Sequence, residues 1–208
     1  EAARTYIDSF SRGLESTHKK QYGDVRDFIL ERLGTAFAAD GRKSESEFLS
    51  FIGYPPVLDA IVTLLEKERD FHGLHEGLRQ RVDGKREIQL LDDIAKHILR
   101  REKDEKILPN ILTPLLSEPR PDDIKQSVRA AFEPAEQCAR LIASIMGRSL
   151  ALSPISDTIL NERYERQLEP FLPEHPFLSN GSFRNVVFES YAVAVLVGGD
   201  DDLVPVAV

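Results

Sequence analysis

The chain has 208 residues, long enough to bury a sizeable core as one large domain or two small ones. Its 27 Lys and Arg stand against 35 Asp and Glu, a net charge of −8 that argues against a nucleic-acid backbone or an anionic membrane as a generic partner. The single cysteine, Cys138, excludes an internal disulfide framework and fits a reducing compartment, and no apolar run reaches the length of a membrane span. The sequence opens on Glu1-Ala2-Ala3-Arg4-Thr5-Tyr6-Ile7, with no initiator Met and no basic-then-apolar signal layout, so we expect a fragment of a longer cytoplasmic protein.

Ala3, Tyr6, Ile7 and Phe10 have the spacing of one helix face, and Gly13 ends that helix. The next stripe is Val25, Phe28, Ile29, Leu33 and Phe37, closed at Asp40-Gly41. Ser44-Glu45-Ser46-Glu47 is a capping box in front of Phe48, Leu49, Phe51 and Ile52. That short helix runs into Gly53-Tyr54-Pro55-Pro56, the most unusual stretch in the chain. Consecutive prolines fix φ and remove two backbone donors, Tyr54 is pushed toward extended backbone, and Pro56 suits the first turn of a new helix. A rigid corner follows, and beyond it Val57, Leu58, Ile61, Leu64 and Leu65 form another helical stripe.

The glycine-dotted segment Phe71 to Asp83 has no firm pattern. Residues 85–103 read as a strong helix with Ile88, Leu91, Ile94, Ala95 and Ile98 inward. Leu108, Leu112 and Leu115 or Leu116 continue the period, with local breaks at Pro109 and Pro114. Asp122 and Asp123 charge the start of a helix running through Val128 and Phe132, and Pro134 opens another that buries Cys138, Leu141, Ile142 and Ile145 and stops before Gly147. Residues 148–158 read as a linker, followed by a polar helix near 158–169 and a proline-broken stretch at Pro170, Pro173 and Pro176. The apolar run 183–197 fits strand by propensity and helix by the spacing of Phe183, Val187, Tyr191 and Ala194, and we take helix. The fold class is all-α, an irregular multi-helix bundle of about ten helices. Its expected division is a domain over 1–147 and a smaller helical segment over 148–208 that ends in a disordered acidic tail.

Chemistry-bearing motifs are sparse. The sequence contains no G-x-x-x-x-G-K-[ST], G-x-G-x-x-G, H-E-x-x-H, C-x-x-C or G-x-S-x-G, and a lone Cys with five scattered His cannot build a usual zinc cage. Asp92 and Asp93 are neighbours on a helix, pointing about 100° apart, so they do not converge on one metal. The basic residues Arg79, Arg81, Lys85 and Arg86 lack interleaved aromatics and are offset by nearby acids.

Two resemblances bear on function. Gly53-Tyr54-Pro55-Pro56-Val57-Leu58 resembles the G-x-P motif of the helical domain that follows the P-loop core in STAND and related AAA+ ATPases, and Glu1 to Asp8 is similar to the helix that opens such a lid. The resemblance covers residues 1–70. It implies that Gly53, Tyr54, Pro55 and Pro56 face a nucleotide, that ATP is bound by the parent protein, and that the chain relays nucleotide state to an effector or sensor in signalling or defence. The partner would be the missing ATPase core or another protein, in an assembly that allows oligomers. The second proline departs from the usual pattern, and no phosphate-binding core is present. Arg69-Asp70-Phe71-His72-Gly73-Leu74-His75 resembles the R-[polar]-x4-H motif of HEPN ribonucleases, which implies His75 as general acid/base and Arg69 as phosphate clamp. A further alternative needs neither: a helical interaction scaffold presenting Phe171, Leu172, Phe177 and Leu178 as an apolar patch.

Overall fold

In the computed structural model, the described residues are 1–39, 45–67, 70–71, 73, 76, 85–148, 150 and 152–198. Nine α-helices of eight residues or more stand among them, with one two-stranded ribbon, so the all-α expectation holds. The chain divides into two compact units, Glu1–Ala95 and Lys96–Val208. The division falls inside a helix, away from the linker expected at 148–158.

The first unit contains α1 (Ala2–Ser9), α2 (Ser16–Ala39), α3 (Glu45–Ile52) and α4 (Pro55–Lys67), with a 3₁₀ turn over Phe10–Gly13 after α1. Ile7, Val25, Ile29, Leu33, Phe51, Val57, Ile61 and Leu65 are buried together, as the helical stripes require. Tyr22 joins them; its hydroxyl donates to the Ile7 carbonyl at 3.0 Å, which satisfies a phenol otherwise 2% exposed. Tyr6 and Phe10, expected inside, lie on the surface with their rings 5.5 Å apart. The reason is local: α1 buries only Ala3 and Ile7, and the chain tightens into the 3₁₀ turn at Phe10. The capping serine Ser44, the stop at Asp40-Gly41, and most of the segment 71–83 lie outside the described residues.

α5 (Lys85–Arg101) carries the inward Ile94, Ala95 and Ile98 as expected and then continues without a break. Residues Glu102–Leu112 adopt π-helical hydrogen bonding, and a last α-helical turn covers Thr113–Leu115. The expected interruption at Pro109 is therefore replaced by a change of register. Proline has no N–H to give and its ring crowds the carbonyl one α-turn back; the wider π turn relieves both. The register shift also moves the buried stripe. Glu102, Lys103, Ile107, Ile111 and Leu112 are inside at intervals of four or five, while Leu108 is half-buried.

The rest of the second unit is α6 (Asp122–Ala130), α7 (Pro134–Ile145), α8 (Thr158–Leu168), a 3₁₀ stretch over Glu169–Glu174, strands β1 (Leu178–Ser179) and β2 (Ser182–Phe183), and α9 (Val186–Gly198). α7 ends in a Schellman cap: Gly147 has φ +63, Arg148 N–H donates to Ala143 O and Gly147 N–H to Ser144 O. Asp157 caps α8 through Leu160 N–H at 2.9 Å, and Asn185 Oδ1 accepts from Val187 N–H at the start of α9. The core joins Ile107, Ile111, Leu112, Leu115, Val128 and Phe132 to Ile155, Leu160, Tyr164 and Leu168. These residues come from both sides of 148–158, and α9 packs along α7, so a seam there is corrected. Residues 186–198 are helical as expected, but Phe183 belongs to β2. The expected disordered tail, 199–208, lies outside the described residues. Among the described residues no single helix is long and apolar enough to cross a membrane.

Candidate functional site

The corner between α3 and α4 is built from backbone chemistry. Gly53 N–H donates to Leu49 O at 2.9 Å, extending the α3 ladder by one residue, and Tyr54 N–H closes a tighter turn on Phe51 O at 3.1 Å. The Tyr54 carbonyl then accepts from both Val57 N–H (2.9 Å) and Leu58 N–H (3.1 Å), so Tyr54 is the cap of α4. Pro55 and Pro56 occupy the first two helical positions, where no intrahelical donor is needed. The two helices are bent by 61°. Gly53 is required for closeness: a Cβ there would lie 2.9 Å from the Leu49 carbonyl oxygen.

Burial divides the corner into an anchored side and a bare side. Phe51, Ile52, Val57 and Leu58 are buried, Tyr54 and Pro56 are half-buried, and Gly53 and Pro55 are exposed. Leu49, one turn before Gly53, is 53% exposed. Close by, the Tyr6 hydroxyl of α1 reaches Asp59 Oδ1, one turn beyond Pro55, at 3.4 Å. Gly53 and Pro55, the exposed residues of the corner, give it an uncharged outer edge. The one ionisable side-chain group among the four corner residues is the Tyr54 hydroxyl, and none of the four carries a charge to hold a phosphate.

The other expected sites fare differently. Arg69 and His75 lie outside the described residues. The patch proposed for a scaffold is corrected: Phe177 and Leu178 are buried, and Phe171 and Leu172 are half-buried against the core. The Phe177 ring stacks on Phe188 at 4.2 Å, because the ribbon β1–β2 turns the segment inward. Cys138 is fully buried, and burial pushes its thiol up to about 12, which leaves no thiolate for chemistry at neutral pH. Among the described residues, no three His, Cys, Asp or Glu side chains are grouped to hold a metal ion.

A buried polar network in the second unit escaped the sequence reading. Glu136 Oε1 accepts from Arg140 Nε (2.7 Å) and the Tyr164 hydroxyl (2.8 Å), while Oε2 accepts from Phe132 N–H at 2.6 Å. The other two guanidinium nitrogens of Arg140 pair with both oxygens of Glu165, at 2.7 and 2.5 Å. Burial opposes the Arg140 charge, but the carboxylates of Glu165 and Glu136 outweigh it and raise the guanidinium pKa. Burial, then the Glu136 carboxylate, raise the Tyr164 hydroxyl out of reach of ordinary pH. Phe132 sits at φ +60, held there by Glu136 on its N–H and by Gln137 Nε2 on its carbonyl (2.8 Å). Each nitrogen of Arg140 makes one bond to a carboxylate, so this cluster clamps α7 to α8. Arg140 and Glu165 also form part of the floor of an open groove of about 850 Å³, whose rim carries Arg148, Glu162, Arg166 and Glu169. That rim has two charges of each sign and no bias toward one kind of ligand.

Comparison with protein-family models, with curated proteins and with solved structures finds no match for this chain.

Proposed function

We propose that residues 1–70 belong to the lid of a P-loop ATPase of the STAND or AAA+ type, and that the chain covers the nucleotide and relays its state through rigid helices. One observation carries this reading: the Gly53–Pro56 corner is anchored by its buried flanks and bare on its outer edge. An uncharged edge held by two prolines suits the flat face of an adenine ring. Nothing in the corner is charged, so phosphates and metal would be held by the P-loop core, with this chain supplying one wall. ATP, when bound, would supply the free energy of hydrolysis that moves the lid; Gly53, Tyr54, Pro55 and Pro56 would position and shield its base.

The reading requires a Walker A motif ahead of Glu1 in the intact gene product. In that protein, photolabelling with 8-azido-ATP should modify the peptide holding Gly53–Pro56. Pro55→Ala together with Tyr54→Ala should weaken ATP binding about tenfold, equivalent to about 1.4 kcal/mol. An intact protein without the motif, or labelling confined to other peptides, would refute the proposal.

A further inference from the structure

His175 follows the 3₁₀ stretch and is 2% exposed. Its Nδ1 accepts from Phe177 N–H at 3.1 Å, which places the ring proton on Nε2, facing Gln137 Oε1 at 3.1 Å. Gln137 is oriented by two further bonds: its amide nitrogen donates to Leu99 O (3.0 Å) and Phe132 O (2.8 Å), leaving only its oxygen for the imidazole. One tautomer of the neutral ring therefore satisfies every partner. The charged ring cannot, because a second proton on Nδ1 would point at the Phe177 amide hydrogen in a dry site.

Among the described residues, the groups bonded to the ring offer no compensation. From α7 it meets the neutral amide of Gln137, and from its own segment the amide and the ring of Phe177, edge-on at 5.3 Å. Among the described residues, the charge acting on it is the Lys106 ammonium of the π segment, which also opposes protonation. Burial first, and Lys106 second, hold the ring down to about 3 against an ordinary 6.5.

The segment that His175 pins lies outside the Ile107–Leu168 cluster, tied to it through Gln137, whose amide also bonds the Phe132 carbonyl. The cluster running from Ile107 to Leu168 contains none of residues 175–185. Phe177 packs instead on Phe188 and Tyr191 of α9, and the ribbon is fastened by Arg184 N–H to Phe177 O at 2.8 Å. On its N-terminal side the 3₁₀ stretch has no fully buried residue.

We infer that His175 is an acid-sensitive latch: adding a proton at Nδ1 expels the Phe177 amide and frees residues 175–184, while the helices around the Ile107–Leu168 cluster stay folded. The sign follows from linkage. The ring binds a proton in the open form near pH 6.5 but not in the closed form, so closure is fully supported above 6.5 and weakens as pH falls toward 3.

Amide hydrogen exchange on the whole chain between pH 7.5 and 4.5 tests this, with each rate corrected for intrinsic exchange. Protection at Phe177 and Arg184 should fall about tenfold for each pH unit below 6.5, while Ile111 and Leu160 keep theirs. In His175→Gln, the pH dependence at Phe177 and Arg184 should flatten. Parallel loss at all four amides, or no loss at Phe177, overturns the latch in the unaltered protein whether or not the variant folds. An unchanged slope in a folded His175→Gln overturns it as well.

Discussion

At Gly53 an added methyl group would meet a backbone oxygen, Leu49 O at 2.9 Å, that already accepts the Gly53 N–H. A backbone atom inside a helix cannot swing aside as a side-chain tip would, so Gly53→Ala should open the corner and cost about 1–3 kcal/mol. Gly23 supplies the control. It lies within α2, where a Cβ would meet only Arg26 Nη2 at 3.7 Å, so Gly23→Ala should stabilise by about 0.5–1 kcal/mol. Denaturant titration of the two variants should give opposite signs; a neutral Gly53→Ala would show that the corner yields. The corner was legible in the sequence because proline and glycine restrict the backbone before any tertiary contact forms. His175 and Glu136 were not. Their burial depends on partners 38 and 28 residues away, and in the sequence Glu136 and Arg140 have the spacing of an ordinary surface ion pair.

Between elements, the joint of α7 and α8 rests on Arg140, whose guanidinium bridges Glu136 of its own helix and Glu165 of the next. Its carbon also lies 5.4 Å from the Tyr164 ring centre. Arg140→Met keeps the length of the side chain but leaves Glu136 in a buried site without its cation. A loss of about 3–5 kcal/mol is expected, read as a lowered unfolding midpoint. The conservative Arg140→Lys restores charge but not the fork onto Glu165, and should recover only part of that loss. Equal stability of Arg140→Met and the parent would mean that the pair is dispensable and that apolar packing alone joins the helices. Elements with a steady period were readable: α2, α4 and α5 stand close to their stripes, while in α7 Cys138 and Leu141 are buried as expected but Ile142 and Ile145 are half-buried. Two were misread for separate reasons. Pro109 looked like a stop because sequence rules assume the α register, and the π segment avoids that assumption. The ribbon at 178–183 had a plain signal in Asn180-Gly181, both at positive φ (53 and 75), as a two-residue hairpin turn requires. The longer apolar period beyond it drew the helix reading back over Phe183.

For the whole chain, the division at Ala95 and Lys96 cuts a continuous helix, which no composition shift, glycine or proline marks in the sequence. Linker-like composition at 148–158 suggested a boundary because Ser and Pro are common in linkers. Yet Ile155 from that stretch is buried in the core, and Ser156 N–H is bonded to the Ser127 hydroxyl of α6 at 3.2 Å. Backbone tied down in this way is part of a unit, not a joint between two. The consequence is testable by truncation. A chain of Lys96–Gly198 keeps the whole Ile107–Leu168 cluster, the Arg140 clamp and the His175 bonds, since Leu99, the farthest N-terminal partner, lies inside it. It should fold alone, with helical circular dichroism and one cooperative thermal transition. A cut at Arg148 should not, because it removes Ile155, Leu160, Tyr164 and Leu168 from the core and strands the buried Arg140 without Glu165. A cooperative 1–147 fragment whose second half keeps native amide protection, beside a Lys96–Gly198 fragment without a transition, would reverse this assignment and restore the boundary near residue 148.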